Sequence, residues 1–411
     1  MKRIMPRKLL LIVMAFVLAL AAPLSLAIAE GEPDTIRIGL VYPLTGPLAK
    51  LGQEELKGAT IALEEINAAG GINGKPVEWV SVDAPTPDAA VAETERLITV
   101  DKVKVIMGSY SSGVAYAGSA VAEKHKVVWW ENSGVATNIT ERGFKYLFRF
   151  GITGRNLGET QVMMIEDIVA PKLGMDPKEF KIALIYEDSA FGSSVADGTR
   201  ALAKEHGLNI VLDEGYNAAS TDLSSLILKM KQSGANILAP TPYVADALLL
   251  FRQMQELNFK PLAVVMAGNA VQDLKNALGD QIAGLLHSDI TQPRTNENAA
   301  KGLAAFIKAY DEKYGGKPWS GHTIRAYSGA LVLFDVIARA GSYDADKIAA
   351  AARETDLPMF STATGWGCKF DEVGQNERAI SFGCVWFEGD PTTIWPVEAA
   401  WEGVEFELPW K

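Results

Sequence analysis

The sequence predicts an α/β protein built as two doubly wound lobes, on three observations. Apolar residues at strand spacing alternate with apolar residues at helix spacing from about residue 36 onward, the pattern of a parallel sheet covered by helices. The pattern breaks after Arg149, and a second series of the same kind begins. Beyond an N-terminal leader, 382 residues remain, more than one core comfortably holds, so two domains are expected.

The leader is residues 1–29. Lys2, Arg3, Arg7 and Lys8 precede an apolar run from Leu9 to Leu20, and small residues follow, ending in Ala27-Ile28-Ala29. A basic start, a short apolar segment and an A-x-A site predict a cleavable export signal. The competing reading is a membrane anchor. It fails because the apolar stretch is short and broken at Pro23, where a bilayer wants about 20 uninterrupted apolar residues. No Cys stands near the cleavage site to carry a lipid, so a free periplasmic protein is expected. Cleavage removes four basic and no acidic side chains and moves the formal charge from −11 to −15. Such a surface repels phosphate backbones and anionic lipid, which argues against nucleic acid and membrane partners.

In the first lobe, Ile36, Ile38 and Leu40 alternate as a strand, and Leu56, Ala59, Leu63 and Ile66 share one helical face that ends at Gly70-Gly71 and Asn73-Gly74. Strands follow at Val77–Val82, Val103–Met107 and Val127–Glu131, with helices near Ala89–Val100 and Val114–Lys124. Alternation places one of Trp129 and Trp130 in the core and the other in the cleft. The second series has strands at Lys181–Tyr186, Asn209–Leu212, Asn236–Ala239 and Leu262–Met266, and helices near Val195–His206, Leu223–Gln232 and Ala245–Leu257. The tail from Thr364 is rich in Trp and Gly and reads as β-hairpin. Within it, Cys368 and Cys384 flank two strand-like runs around Glu372–Asn376, which predicts a disulfide at the open end of a hairpin.

Ligands of open α/β sheets bind beyond the carboxyl ends of the strands, so the loops after each strand are the candidates. Gly108-Ser109-Tyr110-Ser111-Ser112-Gly113 follows one strand, and Asn132-Ser133-Gly134-Val135-Ala136-Thr137 follows the next. Small hydroxyl residues and glycine ahead of a helix leave backbone N–H groups free for an anion. Simple helix capping by Ser112 and Thr137 is the alternative reading.

Several stretches resemble the leucine/isoleucine/valine receptor family of periplasmic binding proteins. They are Ile38-Gly39 with Pro43-Leu44-Thr45-Gly46-Pro47, and Glu65-Ile66-Asn67-Ala68-Ala69-Gly70-Gly71-Ile72-Asn73-Gly74. Arg142-Gly143-Phe144, Phe148-Arg149, Phe191-Gly192 and Phe370-Asp371-Glu372-Val373-Gly374 extend the likeness over nearly the whole chain after the leader. The resemblance implies a type I periplasmic binding protein: two lobes joined by a three-strand hinge, no catalysis, no cofactor, and delivery of a small molecule to the permease of an ABC importer. It implies a first lobe of residues 30–150 plus about 286–360, a second of 151–285 plus about 361–411, and crossings near 150–153, 285–288 and within 358–365. It further implies that Ser112, with Gly113 and Tyr110, and Ser133, Gly134, Val135 and Ala136 surround a carboxylate. The family often has a Thr hydroxyl where this chain has Ala136, with Thr137 one residue on. From the second lobe the resemblance brings Phe191, in place of a Tyr, and Tyr243.

Two departures bear on the ligand. Asn269 stands where amino-acid binders carry an acid facing the ammonium, and Leu51 where an aromatic often covers the ligand. Burying an ammonium without a carboxylate costs several kcal/mol. Either Glu131 or Asp289 substitutes, or the ligand has no ammonium and is a keto, hydroxy or aromatic acid or an amide; the second reading is slightly preferred. Enzymatic alternatives lack support: the four histidines are scattered, and no nucleophile elbow, P-loop or dinucleotide fingerprint occurs. A ligand-sensing domain of a regulatory system remains the other use of such a fold.

Overall fold

The computed structural model describes residues 33–409, so the leader lies outside the described residues. Strands β1 (Ile36–Tyr42), β2 (Val77–Asp83), β3 (Val105–Gly108), β4 (Val128–Glu131) and β5 (Leu147–Arg149) form a parallel sheet in the order β2-β1-β3-β4-β5. A second sheet holds β6 (Lys181–Glu187), β7 (Asn209–Tyr216), β8 (Ile237–Thr241), β9 (Ala263–Ala267) and β10 (Leu286–Asp289), all parallel. It is completed at one edge by antiparallel β13 (Phe382–Phe387) and β14 (Asp390–Trp395), in the order β14-β13-β10-β9-β8-β6-β7.

Helices α1 (Ala49–Ala68), α2 (Pro87–Thr99) and α3 (Ser112–Lys124) connect the first sheet's strands. Helices α4 (Gly154–Met164), α5 (Ala190–His206), α6 (Ser224–Ser233), α7 (Val244–Glu256) and α8 (Gln272–Leu278) serve the second. Local chemistry sets their ends. The Thr86 hydroxyl accepts the Ala89 N–H with Pro87 behind it, Thr153 and Asn156 form a reciprocal capping box, and α5 and α6 stop at left-handed Gly207 and Gly234.

Three further helices, α9 (Leu303–Tyr314), α10 (Gly321–Ala340) and α11 (Ala345–Arg353), occupy a stretch where the sequence reading names no elements. In α10, 14 of the 20 residues are buried, so no one-sided apolar stripe marks it. It packs along α1, and Gly58 makes this possible: a Cβ there would stand 2.1 Å from the Thr323 carbonyl oxygen.

Strand pairing shows where the chain passes between the two sheets. Leu286–Ser288 is hydrogen-bonded to β9 and Asp289 pairs with Phe382, so the chain leaves the second sheet after Asp289, next to the expected 285–288. Asp356–Leu357 (β11) pairs with Cys368–Lys369 (β12), and Gln375 still bridges to Arg149 on β5. The last crossing therefore falls between Asn376 and Phe382, later than 358–365.

The expected disulfide is not formed. Cys368 and Cys384 are free and buried. The turn after Cys368 closes tightly, with Phe370 bridging Asn376 and the Glu377 N–H donating to the Lys369 carbonyl. The chain then passes to β13, so Cys384 pairs with His287 in the other sheet while Cys368 faces Leu357. Nor does either tryptophan enter the cleft. Trp129 packs with Val41 and Leu97 on one face of the first sheet, and Trp130 packs against Phe148 and Phe370 on the other.

Candidate functional site

The cleft is organised from the strand ends outward. Four strands finish in an acidic residue, and each carboxylate accepts hydrogen bonds from the loop beside it. Asp83 takes the Leu44 and Thr45 N–H groups at 2.7 and 3.2 Å. Glu131, fully buried, takes Ser109, Ser133 and Gly134 N–H at 2.8, 2.9 and 2.6 Å and the Trp129 indole at 2.8 Å. Glu187 takes Ser189 and Gly192 N–H at 2.8 and 2.6 Å. Asp289 takes Ala270 and Ile290 N–H at 2.9 and 2.7 Å. Arg149 holds the second candidate loop from its carbonyl side, donating to the Gly134 and Ala136 oxygens at 3.1 and 2.7 Å. Burial lowers this guanidinium to about 10, against the pull of Glu131 and more distant carboxylates.

Between these loops lies a narrow cavity of about 40 Å³, lined from both sheets. The first sheet contributes Tyr110, Ser111, Ser112, Ser133 and Val135, and the second Phe191, Tyr243, Gly268, Asn269 and Asp289. Ile152 lines it from the first crossing, Leu157 from α4, Ile290 from the second crossing, and His322 and Arg325 from α10. The Phe191 and Tyr243 rings meet at a tilt of 42° with 5.3 Å between centroids, a wall for an apolar body.

Of the residues singled out from sequence, Tyr110, Ser112, Ser133, Val135, Phe191, Tyr243 and Asn269 come together on this cavity. The capping alternative for Ser112 gives way. Ser111 caps α3 through the Val114 N–H, while the Ser112 hydroxyl accepts the Ala136 N–H at 3.1 Å and keeps its own proton to donate. Gly113, Gly134, Ala136 and Thr137 do not line the cavity. Gly134 and Ala136 are occupied by Glu131 and Arg149, and Gly113 faces Pro87. Thr137 turns to Ser194 on α5, with its N–H at 3.0 Å and its hydroxyl at 2.9 Å. Leu51 is buried in the apolar cluster of the second sheet, next to Tyr110 and Trp319.

Asn269 donates its amide N–H to the Pro242 carbonyl at 2.6 Å, which leaves its oxygen as the acceptor for a ligand. Asp289, weighed in the sequence only as a substitute acid, lines the same cavity, whereas Glu131 is turned to its loops. Burial raises Asp289 to about 6, opposed by its two backbone donors and Arg325.

Sequence reasoning missed Glu55, His322 and Arg325. Glu55 on α1 is fully buried, accepts the Ser133 hydroxyl, and stands 3.8 Å from Nη2 of Arg325. Burial pushes its carboxyl up to about 8, with Arg325 and Ser133 pulling it back. His322 is held neutral, well below its ordinary range, by burial and by Arg325, and its ring lies against Tyr110 at 5.2 Å. Acidic and basic residues on two separate helices carry no spacing signal that would join them.

A pH dependence follows for Glu55. Its raised value means that the folded chain keeps a proton which the unfolded chain releases, so this contribution to stability is lost as pH rises toward about 8. Buried neutral His287 and His322 act in the opposite sense, below about pH 6.5. Between pH 6.5 and 8 the melting temperature of the ligand-free protein should therefore fall, and Glu55→Gln should flatten the decline. Equal slopes in the two proteins would mean that Glu55 is ionised throughout.

Among the described residues, no helix is long and apolar enough to cross a membrane, and no cluster of three His, Cys, Asp or Glu side chains could hold a metal ion. A family model described as periplasmic binding protein matches residues 35–385. A Leu/Ile/Val-binding protein homolog 8 of Brucella abortus (strain 2308) is 38% identical over 392 residues, 95% of this chain and 97% of that protein. A branched-chain amino acid transporter substrate-binding protein of Streptococcus pneumoniae, solved with isoleucine, superposes with a TM-score of 0.73 at 25% identity, covering 87% of this chain and 99% of that one. A solute-binding protein of an ABC transporter from R. palustris, solved with 4-hydroxybenzoate, gives a TM-score of 0.74 at 21% identity, covering 92% and 99%. The two-lobed type I architecture and the nature of these relatives as binding proteins, not enzymes, agree with the arrangement of sheets, loops and cleft.

Proposed function

We propose, for a chain that belongs to the periplasmic binding protein family, that it is an exported receptor which captures a small carboxylate-bearing molecule and hands it to the permease of an ABC importer. The observation that carries this reading is the cavity at the strand ends of both sheets, hydroxyl-rich on one side and aromatic on the other. We take the first lobe as the first sheet with α9–α11 and the second lobe as the second sheet, joined by the three crossings. Closure about such a hinge is established behaviour for periplasmic binding proteins. Contacts across the cleft mouth support a closed form: Lys50 to Asp273 at 2.6 Å, Lys317 to Asp390 at 2.7 Å, and Leu51 in the second sheet's cluster. These ion pairs are exposed and contribute little. A ligand that touches both lobes is what shifts the population toward closure.

For the ligand, Asp289 favours an amino acid. It gives the cavity a buried carboxylate beside the free Asn269 oxygen, and together they suit an ammonium. The test is a thermal-shift panel of amino acids, their 2-keto counterparts and hydroxybenzoates, since a ligand at 100 times its Kd adds about 2.7 kcal/mol. Stabilisation by an aliphatic amino acid and not by its keto acid is expected. Stabilisation only by sugars or other neutral solutes would sink the reading. For whichever acid binds, Ser112→Ala should weaken affinity by about 1–2 kcal/mol by calorimetry and lower ligand-free stability by about 1 kcal/mol, because the buried Ala136 N–H loses its acceptor.

A further inference from the structure

We infer that Arg325 pairs with the ligand's anionic group, and that the Ser112 and Ser133 loops assist it rather than hold the acid alone. The inference rests on the receptor reading above and names the residue that makes the cleft select an acid.

Arg325 projects from α10 into the cavity wall and is only 1% exposed. Its Nε and Nη2 have no hydrogen-bond acceptor. These two nitrogens share one edge of the guanidinium, the edge that grips a carboxylate with two parallel bonds. A buried guanidinium left without acceptors is costly, so an arrangement of this kind calls for a partner.

The residues around it leave that place to a ligand. Glu55 stands 3.8 Å from Nη2, too far for a hydrogen bond, and its own Oε2 also lacks a partner. Its carboxyl is raised to about 8 by burial, so near neutral pH it is mostly protonated and does not cancel the guanidinium. Asp289 spends a bond from each oxygen on the backbone N–H groups of Ala270 and Ile290. His322, one turn earlier on α10, is held neutral and cannot act as the counter-ion. Among the described residues, Arg325 is thus the only permanently cationic side chain lining the cavity. The competing reading is a structural pair in which Arg325 serves only to tie α10 to Glu55 on α1.

Acetate and its neutral isostere acetamide are the probes, titrated at constant ionic strength and followed by thermal shift and by the Arg325 Nε–H resonance. Acetate should stabilise the protein and shift that resonance, and acetamide should do neither. Arg325→Gln should weaken acetate binding at least tenfold. Should that variant fail to fold, Arg325→Lys keeps the charge without the fork and should still lose about tenfold. Glu55→Gln should bind acetate as well as the parent or better, whereas a purely structural pair predicts that it fails alongside Arg325→Gln. Undiminished acetate binding in the Arg325 variants would overturn the assignment. So would a panel acid that binds the parent and Arg325→Gln equally, and that result would leave the receptor reading standing. Acetate held through Arg325 with no panel acid bound would do the reverse.

Discussion

Replacing Glu131 with alanine should destabilise the ligand-free protein by about 3–5 kcal/mol and weaken capture of its ligand at least tenfold. The carboxylate is fully buried and accepts hydrogen bonds from the Ser109, Ser133 and Gly134 N–H groups, the Trp129 indole and the Ser109 hydroxyl. Truncation leaves these donors without an acceptor where water does not easily follow, and each such group costs about 1–3 kcal/mol before relaxation. The same bonds fix both first-lobe loops that line the cavity, so stability and binding should fall together. Urea denaturation and calorimetry on one preparation give both quantities. A variant that loses affinity but melts like the parent would show that Glu131 contacts the ligand and does not frame the loops.

The role of Glu131 also marks where sequence reading stops. The apolar patterns placed β1–β4, β6–β9 and the helices between them because the strands are short, mostly apolar runs and the helices bury one face or end in glycine turns. They were silent on α10, which is buried on most of its surface and so carries no stripe. The strand-end loops were recognisable from their small hydroxyl residues, and seven of the twelve residues singled out there and in the second lobe line the cavity. The five that do not line it had the right loop or helix but the wrong orientation. Gly134 and Ala136 give their backbone to Glu131 and Arg149, which spacing along the chain cannot reveal. Arg325 and Glu55 are 270 positions apart and meet only because two helices pack side by side. The cysteine expectation failed for the same reason, since a crossing between sheets separates two residues that look like a hairpin.

Gly58→Leu should destabilise the protein by about 3 kcal/mol or more and, where it still folds, loosen anion binding. A Cβ at this position meets the Thr323 carbonyl oxygen at 2.1 Å and the Tyr327 nitrogen at 3.2 Å, both backbone atoms of α10. Backbone cannot turn aside as a side chain can, so α1 and α10 must move apart over a contact that runs along both helices. Thr323 lies between His322 and Arg325, so the displacement is passed directly to the cavity wall. Gly70 is the control: its Cβ direction is open, although its φ of +100° makes any side chain there strained. Gly70→Ala should therefore cost roughly 1 kcal/mol and leave binding unaltered. Equal losses of stability at the two positions, measured by urea denaturation, would mean that the helix contact accommodates the larger side chain.

The four acids that end β2, β4, β6 and β10 have a consequence for how such a receptor can change its diet. Asp83, Glu131, Glu187 and Asp289 hold loop backbone through N–H groups, bonds that every residue except proline can make. Loop shape is thereby set largely by residues at the ends of the sheets, while the molecule admitted is set by side chains such as Val135, Phe191 and Asn269. A substitution among the latter alters selectivity without asking the loop to refold. New specificities are then within reach of single replacements, on a frame that keeps its form.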